Sequence, residues 1–318
     1  MFYIADLEEE FYGTVEYKND GSMVNALREI GCVVETFSYR RVRSAVGSGD
    51  MHAHLLEKCC GFSPDVIFIG YGDGIKPETI RMAARSADAA VVYWYGDASD
   101  EVEDWVCSLA GVADLFLCTT GGSVLEEYKS VSGCEKVAFF PNSVSPDVYK
   151  PLDKVPGSIV FTGGNYGEHE RARSVGQLAI NFPNDFKAYG WMSPRVKGKE
   201  YADVLGHADM GLAVSAHHDR FKMQSARTIE YMACGMCVFV KRVPGLERLV
   251  GFNNVVMFDD PDELPALVEA VKPVSRKIGS SAREWVERYL SSKHVMMYVL
   301  DELHGFNTSE YGPWVEVI

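Results

Sequence analysis

Short apolar runs alternate with helical segments along almost the whole chain, and this alternation limits the folds that the chain can adopt. The alternation runs from Met1 to about Phe140 and restarts at Ser158. One of the runs, Val66–Gly70, is apolar throughout, which is typical of a strand buried on both faces. Strands that alternate with helices predict parallel, doubly wound sheets, so we expect an α/β fold.

The segment Pro141–Gly157 is rich in proline and lacks periodicity, so it predicts a linker between two halves. The 318 residues are enough for about two domains. We therefore expect two Rossmann-like domains, residues 1–150 and residues 151–285. In the first of them we predict no regular element over the basic, glycine-containing stretch Arg40–Gly49.

The composition narrows the classes of function. The formal net charge of -14 disfavours a protein that coats nucleic acid through counterion release. No apolar run approaches the roughly 20 residues that span a bilayer, and the first residues do not resemble a secretory signal. The eight cysteines are scattered, and with no signal visible a cytoplasmic location with reduced thiols is expected.

The stretch Ser225–Val240 offers the first candidate site. Ser225 is expected to cap a helix that begins at Ala226 and ends at Gly235, with a buried strand after it. The amides of such a helix start suit a phosphate. Arg227 would add a charge there, and Glu230 could accept hydrogen bonds from sugar hydroxyls. An ordinary helix–strand unit with a surface Arg–Glu pair remains an open alternative.

A second candidate is the glycine-rich turn Gly163–Gly167, which lies between a predicted strand and a predicted helix. Glycines there allow a phosphate or a sugar to approach the backbone closely, and Asn165 lies among them. The turn departs from the pattern G-x-G-x-x-G, which argues against a standard nicotinamide or flavin enzyme. Arg171, in the following helix, would face either an anion or water.

Three carboxylates, those of Asp6, Asp73 and Asp97, fall at or just beyond predicted strand ends in the first half. A carboxylate at that level of a cleft could take a proton from an acceptor hydroxyl. Each could instead cap a helix or satisfy loop amides. Asp97 is the strongest of the three, because the apolar strand and the loop start Tyr95–Gly96 fix its position.

Two short motifs raise the question of a metal or redox site. Cys234 and Cys237 match C-x-x-C, but the pair closes a helix and enters an apolar strand, which favours buried structural thiols. The run His217-His218-Asp219 offers metal-ligand types, yet adjacent residues rarely converge on one ion. We therefore expect no metal site.

With these motifs the chain resembles the group 1 glycosyltransferases of the GT-B fold, and most closely the compact branch similar to the spore protein CgeB. The similarity extends to about residue 300 and is strong in the second half and loose in the first. Its main carrier is Ser225–Gly235, which matches the family's Arg-Thr-x-Glu-x-x-Ala-Cys-Gly helix. Further matches are Phe161–Gly164 with Glu170-Arg171, Tyr189–Trp191, Ala208–Leu212, Asp6-Leu7, Trp94 with Asp97, and Pro141–Ser143.

The resemblance implies a metal-independent, hexosyltransferase-type enzyme that takes a sugar from a UDP- or GDP-sugar, with no other cofactor. By analogy the second domain binds the donor and the first binds the acceptor, across a central cleft. The terminal helix and tail, residues 286–318, would cross back to the first domain. Asp97 and Asp6 become the candidate catalytic residues. The implied donor-binding residues are Gly163, Gly164, Asn165, Arg171, Gly190, Trp191, Ser225, Ala226, Arg227, Thr228 and Glu230.

Within this set, Glu230 would hold the ribose, Arg227 and the helix amides the diphosphate, and Gly190–Trp191 would border the base. One departure matters: relatives often have a Glu eight positions before the ribose Glu, where this chain has Lys222. The transferred sugar and the stereochemistry therefore do not carry over. A non-catalytic nucleotide-sugar-binding subunit and a nucleotide-sugar epimerase stay open as alternatives. The acceptor (glycan, lipid, protein or small molecule) and the oligomeric state are not predicted, and a nucleic-acid acceptor is disfavoured by the charge.

Overall fold

The structure is a computed structural model, which describes residues 1–7, 19–97, 102–165, 167, 169–215 and 218–318. The described residues form two compact units. The first contains those from Met1 to Pro141 and also the last segment, Lys293–Ile318, whereas the second lies within Asn142–Ser292. Most of the expected acceptor loop Asp6–Gly21, namely residues 8–18, falls outside the described residues.

The first unit is built on a parallel sheet whose described strands follow the order β2-β1-β3-β4-β5-β6. The strands are β1 (Phe2–Ala5), β2 (Glu35–Ser38), β3 (Val66–Gly70), β4 (Ala90–Tyr95), β5 (Leu115–Cys118) and β6 (Val137–Phe139). The helices of this half are α1 (Asn19–Glu29), α2 (Tyr39–Val46), α3 (Ser48–Phe62), α4 (Pro77–Ala87), α5 (Asp104–Ala110) and α6 (Ser123–Ser132). Each residue of β3 is buried, as its apolar sequence predicts for a strand covered on both faces.

The second unit is built on a parallel sheet of order β11-β10-β9-β7-β8 among its described strands. The strands are β7 (Val155–Thr162), β8 (Phe186–Tyr189), β9 (Ala208–Ala213), β10 (Cys237–Lys241) and β11 (Val255–Phe258). The helices are α7 (His169–Asn181), α8 (Gly198–His207), α9 (Ala226–Ala233), α10 (Leu246–Val250), α11 (Leu264–Val271) and α12 (Ser275–Tyr289). Side chains such as Phe161, Leu212 and Phe239 form its core. The predicted α/β class, with two parallel sheets, is thus confirmed.

The last segment of the chain packs within the first unit. It begins in helix α13 (Ser292–Leu303), where the backbone and the carboxylate of Glu302 both contact the Lys136 ammonium, at 2.7 and 3.3 Å. Farther on, Trp314 is fully buried beside the ring of Tyr298. The tail then pairs with β6, since Val137 and Ile318 exchange backbone hydrogen bonds of 3.3 and 2.9 Å. The tail therefore covers one edge of the first sheet.

Two helices differ from the sequence expectation. The stretch Arg40–Gly49, predicted to lack a regular element, contains most of α2 and the start of α3. Only Tyr39 of α2 is buried, so this helix has no apolar stripe for a sequence pattern to reveal. Helix α10 was not predicted either, because its five residues are too few to show a period.

Candidate functional site

The glycine turn after β7 brings the backbone close to an arginine. A Cβ atom on Gly163, whose φ is +153°, would lie 2.9 Å from Nη2 of Arg227 and 3.1 Å from the ring of Phe161. Any side chain at this position would therefore displace the guanidinium. The next residues form a small turn, in which the Gly167 amide donates to Oδ1 of the exposed Asn165, at 3.2 Å.

Two arginines converge next to this turn. Arg171 Nε and Arg227 Nη1 both donate to the carbonyl oxygen of Val214, at 3.3 and 3.2 Å. Arg171 also reaches the carbonyl oxygen of Gly164, at 3.5 Å, and is only 6% exposed, so it faces the protein rather than water. The Arg227 guanidinium lies 5.1 Å from the centre of the Phe161 ring. Two positive charges are thus fixed where β7 and β9 end.

The end of β8 lies beside the same turn. The Gly163 amide donates to the carbonyl oxygen of Tyr189, at 2.9 Å, and a Cβ atom on Gly190 would come within 3.1 Å of the Gly163 oxygen. Gly190 has a φ of +85°, which a glycine adopts without strain. The Trp191 ring stands edge-on to Phe161, with their centres 6.1 Å apart. The predicted residues Gly163, Gly190 and Trp191 therefore lie together.

Helix α9 begins at the predicted place but without the predicted cap. Ser225 occupies the N-cap position in an extended conformation, yet its hydroxyl makes no capping hydrogen bond. The first-turn amide of Thr228 is satisfied instead by the carbonyl oxygen of Ser225, at 3.0 Å. The side chain of Thr228 is 4% exposed and its amide is already bonded, so Thr228 itself offers no free donor to a ligand at the helix start. The first amides of Ala226 and Arg227 lie at the positive end of the helix dipole.

Glu230 lies one turn farther along α9 and is held by a tyrosine. The Tyr201 hydroxyl donates to Glu230 Oε2 at 2.6 Å. Desolvation raises the pKa of Glu230 above its usual value, although the Tyr201 hydrogen bond and the charge of Arg227 both act to lower it. The sequence does not predict this contact of Tyr201, because no spacing rule links it to a residue 29 positions later.

The segment just before α9 contains Lys222, which is 1% exposed and has a φ of +56°. Its amide donates to the carbonyl oxygen of Pro244 at 2.7 Å, so the backbone is anchored there. The thiols of Cys234 and Cys237 are fully buried, and burial raises the pKa of each to about 12. Their predicted role as packing residues is confirmed.

In the first unit, the three strand-end carboxylates have different surroundings. Asp73 accepts hydrogen bonds from the Tyr39 hydroxyl at 2.6 Å and from Arg40 Nη2 at 2.7 Å, and Arg43 Nη2 lies 3.4 Å away. Burial tends to raise the pKa of Asp73, but these hydrogen bonds and the two arginine charges lower it overall. Asp73 therefore acts as an anchor of α2 and is a poor proton acceptor.

Of the other two carboxylates, Asp6 is paired with an arginine and Asp97 is exposed. Arg40 Nη1 contacts Asp6 Oδ2 at 3.2 Å, so one guanidinium joins Asp6 to Asp73. Asp97 is exposed and accepts a hydrogen bond from Tyr71. Burial, together with this carboxylate, raises the pKa of Tyr71 to about 12. Tyr71 has a φ of +64°, which is unusual for an aromatic residue and is held by bonds of its peptide to Trp94 and Tyr93.

Within the described ranges, no group of three or more His, Cys, Asp and Glu side chains is arranged to hold a metal ion. His217, one of the metal-ligand types noted in the sequence, lies outside the described residues. No helix in the part of the chain that the structure describes is both long and apolar enough to cross a membrane.

Comparison with known proteins gives one matching family model and several similar solved structures. Residues 165–301 match the family model described as glycosyl transferase-like. No curated protein matches the sequence significantly. Among solved structures, sucrose-phosphate synthase from Thermosynechococcus elongatus is 12% identical, with a TM-score of 0.69 and coverage of 96% of this chain and 98% of that one. HepE from Anabaena, in complex with UDP and glucose, is 12% identical, with a TM-score of 0.65 and coverage of 96% and 99%.

A third similar structure is AviGT4, a glycosyltransferase of avilamycin A biosynthesis, which is 12% identical with a TM-score of 0.64 over 95% of this chain and 96% of that one. The family match thus covers residues 165–301, and the chain as a whole has the GT-B fold of these structures. The narrower resemblance to the CgeB-like branch stays a prediction.

Proposed function

We propose that the chain is a glycosyltransferase that takes its sugar from a nucleotide diphosphate sugar, and that the second unit holds this donor. The observation that carries the proposal is the convergence of the glycine turn, the arginine pair Arg171 and Arg227, the start of α9 and Glu230 within one unit. Each of these features suits a different part of a nucleotide sugar. The surface Arg227–Glu230 pair that the sequence left open does not explain why Arg227 donates to the Val214 carbonyl oxygen beside Arg171.

The diphosphate would lie at the start of α9. Backbone amides and the positive dipole end favour an anion there, and Arg227 adds a full charge. Gly163 and Gly164 let the phosphates approach the backbone without a steric clash. As the bond from the sugar to the diphosphate breaks, negative charge grows on the leaving oxygen, and these fixed groups would stabilise it.

The nucleoside would lie along the ends of β8 and α9. Glu230, held by Tyr201, offers carboxylate oxygens to the two ribose hydroxyls. Gly190 and Trp191 would border the base, with the Trp191 ring as an apolar wall. Both UDP and GDP fit this description. HepE has been solved with UDP-glucose and with UDP, which favours a uridine nucleotide among the two.

The acceptor would meet a carboxylate of the first unit. In this proposal Asp97 or Asp6 takes the proton from an acceptor hydroxyl. The oxygen of that hydroxyl then bonds to the anomeric carbon of the donor sugar, as the bond from this carbon to the diphosphate breaks. Asp97 is the better base, because Tyr71 orients it while leaving the side chain exposed. The acceptor itself, whether a glycan, a lipid, a protein or a small molecule, is not specified by these residues.

We also propose that the reaction needs no metal ion, because Arg227 and the helix start already supply positive charge at the leaving group. A cytoplasmic location is part of the proposal and is supported by eight cysteines that all carry free thiols. Treatment with EDTA tests the first point: turnover should stay the same, and a loss that Mg²⁺ or Mn²⁺ restores would overturn it.

Incubation with a panel of UDP- and GDP-sugars tests the main proposal. We expect nucleotide diphosphate release and measurable binding of at least one donor, and Glu230→Ala should abolish that binding. Lys199→Ala, an exchange at a residue that pairs with Asp203 on the surface of α8, serves as the control. Failure of every donor to bind or turn over would overturn the proposal. Binding without turnover on any acceptor would point to a binding subunit.

A further inference from the structure

The entry segment, residues 145–154, lies just after the point where the chain passes from the first unit to the second. It contacts both helices that place the proposed ribose ligand, namely α8, which carries Tyr201, and α9, which carries Glu230. At α8, the Leu152 amide donates to the carbonyl oxygen of Gly206 at 2.9 Å. The entry segment therefore helps to fix where these two helices lie relative to each other.

Two cations join the entry segment to the end of α9. Lys154 Nζ donates to the carbonyl oxygen of Cys234 at 2.6 Å. Arg283 Nη1, from α12, donates to the carbonyl oxygens of Tyr149 and Ala233, at 3.2 and 2.6 Å. The carbonyl groups at the C-terminal end of a helix carry partial negative charge, so both cations stabilise this end of α9 where it is.

Tyr149 is the residue of the entry segment that reaches the proposed ribose ligand. It is 3% exposed, and its ring stands at 80° to the Tyr201 ring, with the two centres 6.1 Å apart. Such an edge-to-face arrangement is favourable for two aromatic rings. The Tyr201 hydroxyl in turn donates to Glu230 Oε2 at 2.6 Å. A continuous chain of contacts thus runs from the entry segment to the carboxylate.

The hydrogen bond from Tyr201 has two effects on Glu230. It orients the carboxylate, and it opposes the desolvation that raises the pKa of Glu230 and favours the protonated group. A protonated carboxyl group accepts fewer hydrogen bonds from ribose hydroxyls than a carboxylate does. Because the hydroxyl lies at the far end of the Tyr201 ring, a small rotation of that ring would lengthen or break the bond. The residue that packs against the ring therefore affects the ribose ligand.

We propose that Tyr149 is a positioning residue for Glu230: by packing against Tyr201 it holds the carboxylate in place for the ribose, and it thereby sets how strongly the site prefers a ribonucleotide. This inference rests on the proposed function, because it requires the ribose of the donor to bond Glu230. Tyr149 does not contact the donor in this proposal and acts through Tyr201 alone.

The test compares the affinity for UDP with that for 2′,3′-dideoxy-UDP, which lacks both ribose hydroxyls, by calorimetry. GDP and its dideoxy analogue serve in the same way if the site prefers guanine. The ratio of the two dissociation constants measures the preference for ribose. In Tyr149→Met we expect this ratio to fall about fivefold, through weaker binding of UDP, with the affinity for the dideoxy analogue unchanged. Tyr201→Phe should lower the ratio to a similar extent, and the double variant should lower it no further, because both changes act on one carboxylate.

Two controls separate positioning from a general loss of packing. Tyr149→Phe keeps the ring, so its ratio should stay within about twofold of the wild-type value. Tyr298→Met makes the same exchange at another buried tyrosine, whose ring stands edge-on to Trp314 in the first unit, and it should leave the ratio unchanged. Tyr149→Leu, for which we expect the same result as for Tyr149→Met, covers a failure of that variant to fold.

The outcomes distinguish the two proposals. If neither UDP nor GDP binds the wild-type protein, the proposed function fails. If a nucleotide binds but the wild-type protein shows no preference for ribose, or if Tyr149→Met and Tyr149→Leu keep the full preference, the inference about Tyr149 is overturned and the diphosphate site stands. An equal loss of affinity for UDP and for its dideoxy analogue would show a merely structural role and would also overturn it, as would an equal fall of the ratio in Tyr149→Phe.

Discussion

At the scale of single residues, the structure gives chemically similar groups different roles through their neighbours. Asp73 has its carboxylate occupied by a tyrosine and two arginines, whereas Asp97 receives a hydrogen bond from Tyr71 and is exposed. Glu230 has a third kind of environment, in which desolvation raises the pKa of its carboxyl group. The sequence singles out all three carboxylates, but only the structure shows how the neighbours of each one differ.

Glu230→Gln should affect stability and binding in opposite directions. The raised pKa of Glu230 means that folding favours its protonated form, so the ionised group costs stability at neutral pH. The variant should therefore unfold at higher denaturant concentration at pH 7, with an advantage that shrinks as pH falls through the folded pKa. Its donor affinity should fall about tenfold, because the amide accepts fewer hydroxyl hydrogen bonds.

Denaturant titrations at pH 7 and pH 5, together with calorimetry, check this prediction. Tyr201→Phe is a useful companion, because it removes the hydrogen bond to Glu230 and leaves the charge in place. A Glu230→Gln protein that is less stable than wild type at pH 7 would contradict the assigned direction of the pKa shift.

Asp97→Asn should lower turnover by about 10² to 10⁴-fold if Asp97 is the base, with little change in stability because the side chain is exposed. Asp6→Asn, measured in parallel, decides between the two candidates. Steady-state kinetics on an identified acceptor is the measurement, and full activity in both variants would remove both from the mechanism.

Asp73→Asn should instead act on stability. It weakens ion pairs to Arg40 and Arg43 that are partly exposed, so a loss of about 1 kcal/mol in unfolding free energy is expected. The pKa of Asp73 is lowered in the folded state, so its contribution is complete at neutral pH and disappears as pH falls through that lowered value. Melting temperatures of variant and wild type should therefore differ from pH 7 down to about pH 4 and converge only as the pH falls below the lowered value.

At the scale of secondary structure, α9 is positioned by a close backbone contact with α12. A Cβ atom on Gly279 of α12 would lie 2.1 Å from the carbonyl oxygen of Gly235, the residue that ends the α9 segment. Arg283, one turn farther along α12, donates to the Ala233 carbonyl oxygen at 2.6 Å. The end of the donor helix opposite the proposed diphosphate is thus fixed by a neighbouring helix.

Gly279→Ala should destabilise the second unit by about 1–3 kcal/mol or more, since the obstructing atom is backbone and cannot rotate away. Gly176→Ala is the matched control: it lies within α7, and a Cβ atom there meets nothing within 4 Å. It should stabilise the protein by roughly 0.5–1 kcal/mol through helix propensity. Equal melting temperatures for the two variants would contradict the close contact of α9 with α12.

How well each helix and strand could be predicted depends on whether a local sequence pattern reports its contacts. The strand Val66–Gly70 was predicted with its observed bounds, because burial on both faces demands consecutive apolar residues. Helix α2 was missed because its contacts are ion pairs with a loop more than 25 residues away, and no local period reports them. The capping role of Ser225 failed for a similar reason, since the local pattern does not show that a carbonyl satisfies the amide.

At the scale of the whole molecule, the proposed donor residues lie within the second unit, while the last segment of the chain belongs to the first. The glycine turn after β7 and the start of α9 could be predicted from the sequence because each is a local pattern. Partners such as Tyr201, Arg40 and Tyr149 could not, because their contacts depend on residues far along the chain.

This division leads to a prediction for Trp314→Ala. The Trp314 ring is fully buried in the first unit, with its centre 5.0 Å from that of Tyr298, so truncation should cost about 3–5 kcal/mol there. Hydrogen exchange should speed up in β6 and α13 and stay slow in β9 and β10. Nucleotide affinity should persist, because the proposed donor residues belong to the other unit. A loss of nucleotide affinity while exchange in β9 and β10 stays slow would contradict the assignment of the donor site to the second unit.

The pairing of the tail with β6 also has a consequence for the order of events during synthesis. The edge of β6 is covered by Glu316–Ile318, which the ribosome adds only after the whole second unit. Translation of residues 142–292 takes on the order of 10 to 30 s. During that interval the nascent first sheet has an open edge strand, which is a template for wrong pairing. The unit that is translated first therefore completes its sheet only after the other unit has been synthesised.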